Sequence, residues 1–245
     1  MTPTAAWTTR SALARERRAL VMILVVSATA FATLAVIVAR ALAGTSADKT
    51  IARWLFGATD GSSALSAVAR LLDLLGGNLF SIALILATTF VLAARRHRYL
   101  AAYLFASALG GVLVSTFVKA FVDRPRPPTV GTLIAESTSS FPSGHATSSV
   151  ATFGALAVVC LVVLRPGVRW WAAGALIGLG LAIGVSRVAV GVHWPTDVLA
   201  GWAPGSAWTS AVALIVVQVA MGRSRGSREL PRSSPSTPTR HRRTS

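Results

Sequence analysis

The sequence predicts an all-α fold, a polytopic membrane bundle of six transmembrane helices. Two observations carry that expectation. Of 245 residues, 53% are hydrophobic and only 13% are charged, giving a mean hydropathy of +0.62. The apolar residues also gather into runs near the ~20 residues a helix needs to cross a bilayer. The placement of charge agrees. A net charge of +16 would suit a nucleic-acid partner, but the basic residues sit in short flanks between apolar runs and outline no groove.

The first run is Ala19–Ala39, preceded by Arg10, Arg15, Arg17 and Arg18. Leu74–Ala94 is the second and stops at Arg95, Arg96, His97 and Arg98. Tyr99–Val118 is the third and ends on Lys119. Ala146–Leu164, Trp170–Ser186 and Val198–Met221 complete the set. Backbone N–H and C=O groups in hydrocarbon must be satisfied within their own segment, so each run is read as a helix. Gly174, Gly178, Gly180 and Gly184 give the fifth run a small-residue pattern suited to close helix packing. Between the first two runs, residues 44–73 read as a loop, with an interfacial helix over Ser62–Leu75.

Lys and Arg set the orientation. Sixteen of the 24 fall in residues 1–18, the 95–98 and 165–169 loops, and the tail from Gly222. The excess places both termini in the cytoplasm of a multi-pass cell-membrane protein. Residues 1–18 are then a basic cytoplasmic tail and residues 19–221 the membrane domain. The Arg/Ser/Thr/Pro-rich stretch 222–245 is expected to be disordered and to rest on anionic headgroups. Ala41-Leu42-Ala43 resembles a signal-cleavage site, but the preceding run is longer than such signals carry, so the first span is expected to be retained. The single cysteine, Cys160, lies within an apolar run, which leaves no disulfide framework. Lysine occurs only at positions 49 and 119, the arginine bias of a GC-rich, bacterial-type genome.

Three segments place polar and ionisable residues where apolar runs end: Lys119–Pro127 (KAFVDRPRP), Phe141–His145 (FPSGH) and Ser186–Asp197 (SRVAVGVHWPTD). By the charge count all three lie at the outward face. Each alone has an ordinary explanation: a snorkelling lysine, helix-stopping prolines, an N-cap turn, an i,i+4 pair. Together they bring three cations, two histidines and a carboxylate to one end of the bundle, where ionisable groups near a membrane point to function.

The chemistry they suit is phosphoryl transfer. Lys119, Arg126 and Arg187 can neutralise phosphate oxygens. Ser143 and Gly144 open a helix whose free N–H groups favour an anion. Asp197 can orient His193 for nucleophilic attack, leaving His145 to protonate the leaving oxygen. His145, His193, Asp197 and Glu136 are possible metal ligands, but the surrounding cations would repel a divalent ion and perform its task, so no metal or other cofactor is expected.

Order and spacing of these motifs resemble the type 2 phosphatidic acid phosphatase superfamily, the lipid phosphate phosphatases. Its first signature, Lys, six residues, Arg-Pro, is met by Lys119 with Arg126-Pro127. The second is met by Pro142-Ser143-Gly144-His145, and the third by Ser186-Arg187, His193 and Asp197. Arg124-Pro125 is a second Arg-Pro but stands too close to Lys119 for the signature. The resemblance spans about Gly76–Met221. It implies a phosphohistidine at His193 oriented by Asp197, His145 as general acid, and Lys119, Arg126, Ser143, Gly144 and Arg187 holding the phosphoryl group without metal. The superfamily includes soluble vanadium haloperoxidases, a branch that six spans argue against.

The function expected is hydrolysis of a lipid phosphate or diphosphate of the undecaprenyl diphosphate, phosphatidic acid or phosphatidylglycerophosphate type, at the extracytoplasmic face. The partners are then the lipid substrate and membrane lipids, with no nucleic acid. Two alternatives stand: a phosphotransferase using the same phosphohistidine, and a non-catalytic anion transporter. The transporter reading is weakened because the charges lie at span ends and not in broken mid-membrane helices.

Overall fold

The computed structural model describes residues 3–128 and 138–229, without the side chains of 3–13, 78 and 222–229. Among these residues there are eight α-helices and no strand: α1 (Pro3–Arg40), α2 (Ser46–Asp60), α3 (Ser63–Gly76), α4 (Asn78–Ala94), α5 (Arg98–Lys119), α6 (Gly144–Val163), α7 (Pro166–Ala189) and α8 (Pro195–Glu229). Five carry a stretch long and apolar enough to cross a membrane: Ala14–Arg40, α5, α6, α7 and Pro195–Met221. These agree with the first, third, fourth, fifth and sixth predicted spans.

The second predicted span is not one straight helix. The chain breaks at Gly76-Gly77, and α3 and α4 meet at a bend of 50°, together forming the sixth candidate crossing. The break has a packing cause. A Cβ on Gly76 would lie 2.4 Å from Ile183 Cγ2 and 3.1 Å from His145 Cδ2, so α3 ends pressed against α6 and α7. Gly77 then turns extended, with ψ 155°, before α4 begins.

The 44–73 segment, expected as a loop with one helix over Ser62–Leu75, holds two helices: α3 coincides with the expected one, and α2 replaces loop. Thr45 caps α2 through a reciprocal box: its hydroxyl accepts from Asp48 N at 3.0 Å, and its own N donates to Asp48 Oδ2 at 3.1 Å. Ser62 caps α3 through Leu65 N, and Ser66 Oγ donates to Thr59 O at 2.7 Å, tying the two helices together. At the opposite end of the chain, α8 continues as helix eight residues beyond Met221, to Glu229. The rest of the tail, 230–245, lies outside the described residues.

Helix α6 is the hub, packing on α5, α7 and α8, while α1 runs along the outside of α8. Leu104, Phe153, Leu156 and Ile183 lead the main apolar core, and Phe31, Val38, Phe141 and Ala200 fill the α1–α8 side. The close-packing glycines are only partly those the sequence points to. Gly174 and Gly178 face open space, whereas Gly180 meets Ser149 and Phe153 of α6, and Gly184 meets Trp202 of α8.

A seam that presses backbone against backbone is Gly201-xxx-Gly205 of α8. Cβ atoms there would fall 2.7 Å from the carbonyl oxygens of Ser143 and Thr147, backbone that cannot step aside. Gly205→Leu is therefore expected to pry α8 from α6 and to lower the unfolding temperature in detergent by several degrees, an overpacking cost of about 1–3 kcal/mol or more. Gly174→Ala should leave it unchanged. Equal melting curves for the two variants would refute the seam.

Candidate active site

Helices α5 and α7 end, and α6 and α8 begin, at the same end of the bundle. There they enclose a cavity of about 320 Å³ lined by Lys119, Arg126, Thr138, Gly144, His145, Ser148 and His193, and by Val112, Ser115 and Thr116 of α5. Residues from all three motifs thus meet around one space.

His193 sits in the turn between α7 and α8. Gly191 takes φ +82°, a left-handed conformation that glycine adopts without strain. This lets Val192 N and His193 N both donate to Arg187 O at 3.2 Å. Pro195 opens α8, which puts Asp197 in its first turn, where its carboxylate accepts from Trp194 N at 2.9 Å. Asp197 Oδ2 lies 3.5 Å from His193 Nδ1. On the other edge of the ring, Arg126 Nη1 is 3.3 Å from Nε2, and it donates to Val192 O at 2.8 Å.

A guanidinium can only donate, so Nε2 must present its lone pair and the ring proton belongs on Nδ1, toward Asp197. Burial pushes the His193 pKa down to about 4; Asp197 opposes the shift, and Arg126 and Arg187 add to it. The ring is therefore neutral at neutral pH, with the Nε2 lone pair beside the Arg126 guanidinium at the cavity.

Asp197 is itself clamped. Its Oδ1 pairs with Arg124 Nη1 and its Oδ2 accepts from Ser140 Oγ. The same Arg124 donates from Nη2 to Asp48 Oδ2 at 3.0 Å, from Nη1 to Thr196 Oγ1 at 2.8 Å, and from Nε to Leu42 O at 3.2 Å. Thr196 N and Oγ1 in turn donate to Asp48 at 2.9 Å each. All three charged side chains are shut off from solvent. Burial acts to raise the Asp48 pKa, but the bonds from Thr196, Thr45 and Arg124 outweigh it and hold the carboxyl below its usual range. Buried charge of this kind persists only when paired and fully hydrogen-bonded, which the network achieves.

The remaining predicted residues take distinct places. Lys119 Nζ donates to Ser139 O at 2.7 Å, and Arg126 donates from Nε to Thr138 O at 2.9 Å, so the 138–139 segment carries both cations. Gly144 leaves room at the α6 terminus, where a Cβ would come within 3.3 Å of Ser115 Oγ. Ser143 is fully buried; its hydroxyl caps α6 at Ala146 N, and its N donates to Asp197 O at 3.0 Å. Arg187 is also fully buried, behind the cavity wall, with Nη1 on Asp73 Oδ1. His145 Nε2 faces that same oxygen at 3.5 Å.

Sequence reasoning missed Arg124, Asp48, Ser140, Thr196 and Asp73. A doubled Arg-Pro and a Thr-x-x-Asp capping box were visible at two of them, but neither signal says which partner lies across the fold. Glu136, weighed as a metal ligand, lies outside the described residues. Among the described residues, no three His, Cys, Asp or Glu side chains gather as a metal site would require.

The three motifs thus converge on one cavity, lined by cations and two histidines, at one end of a bundle of membrane-length helices. Residues 99–220 match the sequence profile of the PAP2 superfamily, and the chain belongs to that family. It is 35% identical over 130 residues to the lipid A 1-phosphatase of Rhizobium etli, covering 48% of this chain and 50% of that protein. It is 33% identical over 121 residues to the undecaprenyl-diphosphatase BcrC of Bacillus subtilis, covering 48% and 58%. The chain thus spans about half the length of the curated relatives it matches.

Among solved structures, the fold resembles a transmembrane PAP2-type phosphatidylglycerolphosphate phosphatase from Bacillus subtilis. The TM-score is 0.68 at 22% identity, over 79% of this chain and 96% of that one. It also resembles Aquifex aeolicus LpxE, with a TM-score of 0.55 at 20% identity over 72% and 98%.

Proposed function

We propose that this protein is a lipid phosphatase that hydrolyses a lipid phosphate or diphosphate through a phosphohistidine on His193, with its site at the extracytoplasmic face. The observation that carries the reading is the ring of His193: Asp197 faces Nδ1, while Arg126 holds Nε2 toward a cavity lined by cations. The Nε2 lone pair attacks phosphorus, the bond from phosphorus to the lipid-side oxygen breaks, and His145 gives that oxygen its proton. Water then attacks the phosphohistidine and yields a proton to His145, and the P–N bond breaks to release phosphate.

Lys119 and Arg126, with Arg187 behind the wall, neutralise the charge on the non-bridging oxygens, the task a divalent ion performs in other phosphatases. The excess of Lys and Arg at the opposite end of the bundle supports the extracytoplasmic placement. The named relatives act on different lipids, and what those lipids share is a phosphate or diphosphate at the membrane surface.

The test is a panel assay of the purified protein with polyprenyl diphosphate, phosphatidic acid, phosphatidylglycerophosphate and lipid A, in EDTA and without an added acceptor. Free phosphate from at least one lipid is the expected result. Release only in the presence of an acceptor alcohol would make the protein a phosphotransferase. Activity abolished by EDTA would sink the metal-free chemistry.

A further inference from the structure

Asp73 is one of only eight acidic residues in the chain, and it falls in no signature motif. It stands in the last turn of α3, the helix that the Gly76 contact presses against α6 and α7. One of its oxygens, Oδ1, takes Arg187 Nη1 and also lies 3.5 Å from His145 Nε2. The seat leaves little freedom, because a Cβ on Gly76, three residues along, would lie 3.1 Å from Cδ2 of the same imidazole. The edge of His145 that carries Nε2 is thus held against α3. The arrangement parallels the one at His193, where Asp197 stands beside the ring nitrogen that does not react.

We propose that Asp73 is the positioning residue of the general acid: it fixes the His145 ring and, as a carboxylate at Nε2, favours the proton-bearing imidazolium that must protonate the leaving oxygen. Arg187 holds Asp73 in place, and so couples the acid to the phosphate-binding cations. Asp73 touches no reacting atom; it acts through His145. This role rests on the phosphohistidine reading above.

A structural role and this one differ in what they do to the leaving group. An alkyl lipid phosphate expels an alkoxide-like oxygen that needs a proton, whereas p-nitrophenyl phosphate expels a stable phenolate that does not. Asp73→Asn is expected to lower kcat on the lipid substrate on the order of 100-fold, within the range general acid catalysis supplies. Its kcat on p-nitrophenyl phosphate should fall less than about threefold, a residual change small against the general-acid contribution.

Asp73→Glu, which keeps the carboxylate, should restore part of the lipid rate. In the His145→Asn background Asp73→Asn should add no further loss, because the residue it serves is gone. Equal losses on the two substrates, or losses that multiply with His145→Asn, would overturn the proposal in favour of a structural role through Arg187. A wild-type protein that releases no phosphate from any substrate would instead defeat the phosphatase reading itself.

Discussion

Replacing His193 by alanine is expected to reduce phosphate release by about 10⁴-fold or more while the bundle stays folded, since loss of a covalent nucleophile leaves only binding and charge stabilisation. The fold should tolerate the change because Asp197 does not depend on the histidine for its partners. It keeps Arg124, Ser140 Oγ and Trp194 N. The clearest check is chemical: wild-type protein quenched in mid-turnover should carry an acid-labile, base-stable phosphoryl group, and His193→Ala should carry none. A variant that retains a tenth of the wild-type rate, or a labelled residue other than His193, would remove this histidine from the mechanism. A transporter reading makes the opposite forecast, with anion flux largely preserved.

The largest effect on stability is expected at Arg124. Arg124→Met leaves two carboxylates, Asp48 and Asp197, buried without their cation. Breaking a buried pair in this way typically costs about 3–5 kcal/mol. For a chain of this size that corresponds to a fall of about 10 °C in the melting temperature. Activity should fall with it, because Asp197 loses the contact that holds it toward His193. Lysine should not rescue, since one ammonium cannot reach Asp48, Asp197, Thr196 Oγ1 and Leu42 O together as the guanidinium fork does. Adding Asp48→Asn to Arg124→Met should recover part of the loss, by removing one of the stranded charges. Melting curves for Arg124→Met and wild type that coincide would contradict the network.

The span ends and the residues around the cavity were legible in the sequence because both are local signals. An apolar run stops where a charge or a proline stops it. Lys119, Arg126, Gly144, His145 and His193 each lie within a few residues of such a stop. The Arg124 network was not legible for the same reason inverted. Arg124 meets Asp48 and Asp197, 76 and 73 residues away, and no periodicity or spacing encodes either meeting. Spacing even argued against it, because Arg124 stands two residues short of the signature position.

Asp73 is a similar case, 114 residues from Arg187 and within a segment read as an interfacial helix. The bend at Gly76-Gly77 was hidden by composition. Leu74–Ala94 is free of charge, and a hydropathy run records neither the missing Cβ nor the Ile183 side chain that takes its place. The α8 glycine seam went unread because Gly201 and Gly205 lie among larger residues, while the richer glycine stretch of α7 drew the expectation.

The clamp on Asp197 also has a consequence for how the chain is made. Asp48 and Asp73 belong to α2 and α3 and are delivered early, yet their cations and hydroxyls, Arg124, Arg187 and Thr196, emerge from the ribosome much later. Asp73 is complete only once α7 has delivered Arg187, and Asp48 only once Thr196 opens α8. A chain stalled or cut before residue 187 would therefore leave both acids short of their partners, a local mark of incompleteness. The network around Asp197 closes only with the last helix, so it reports that assembly is finished.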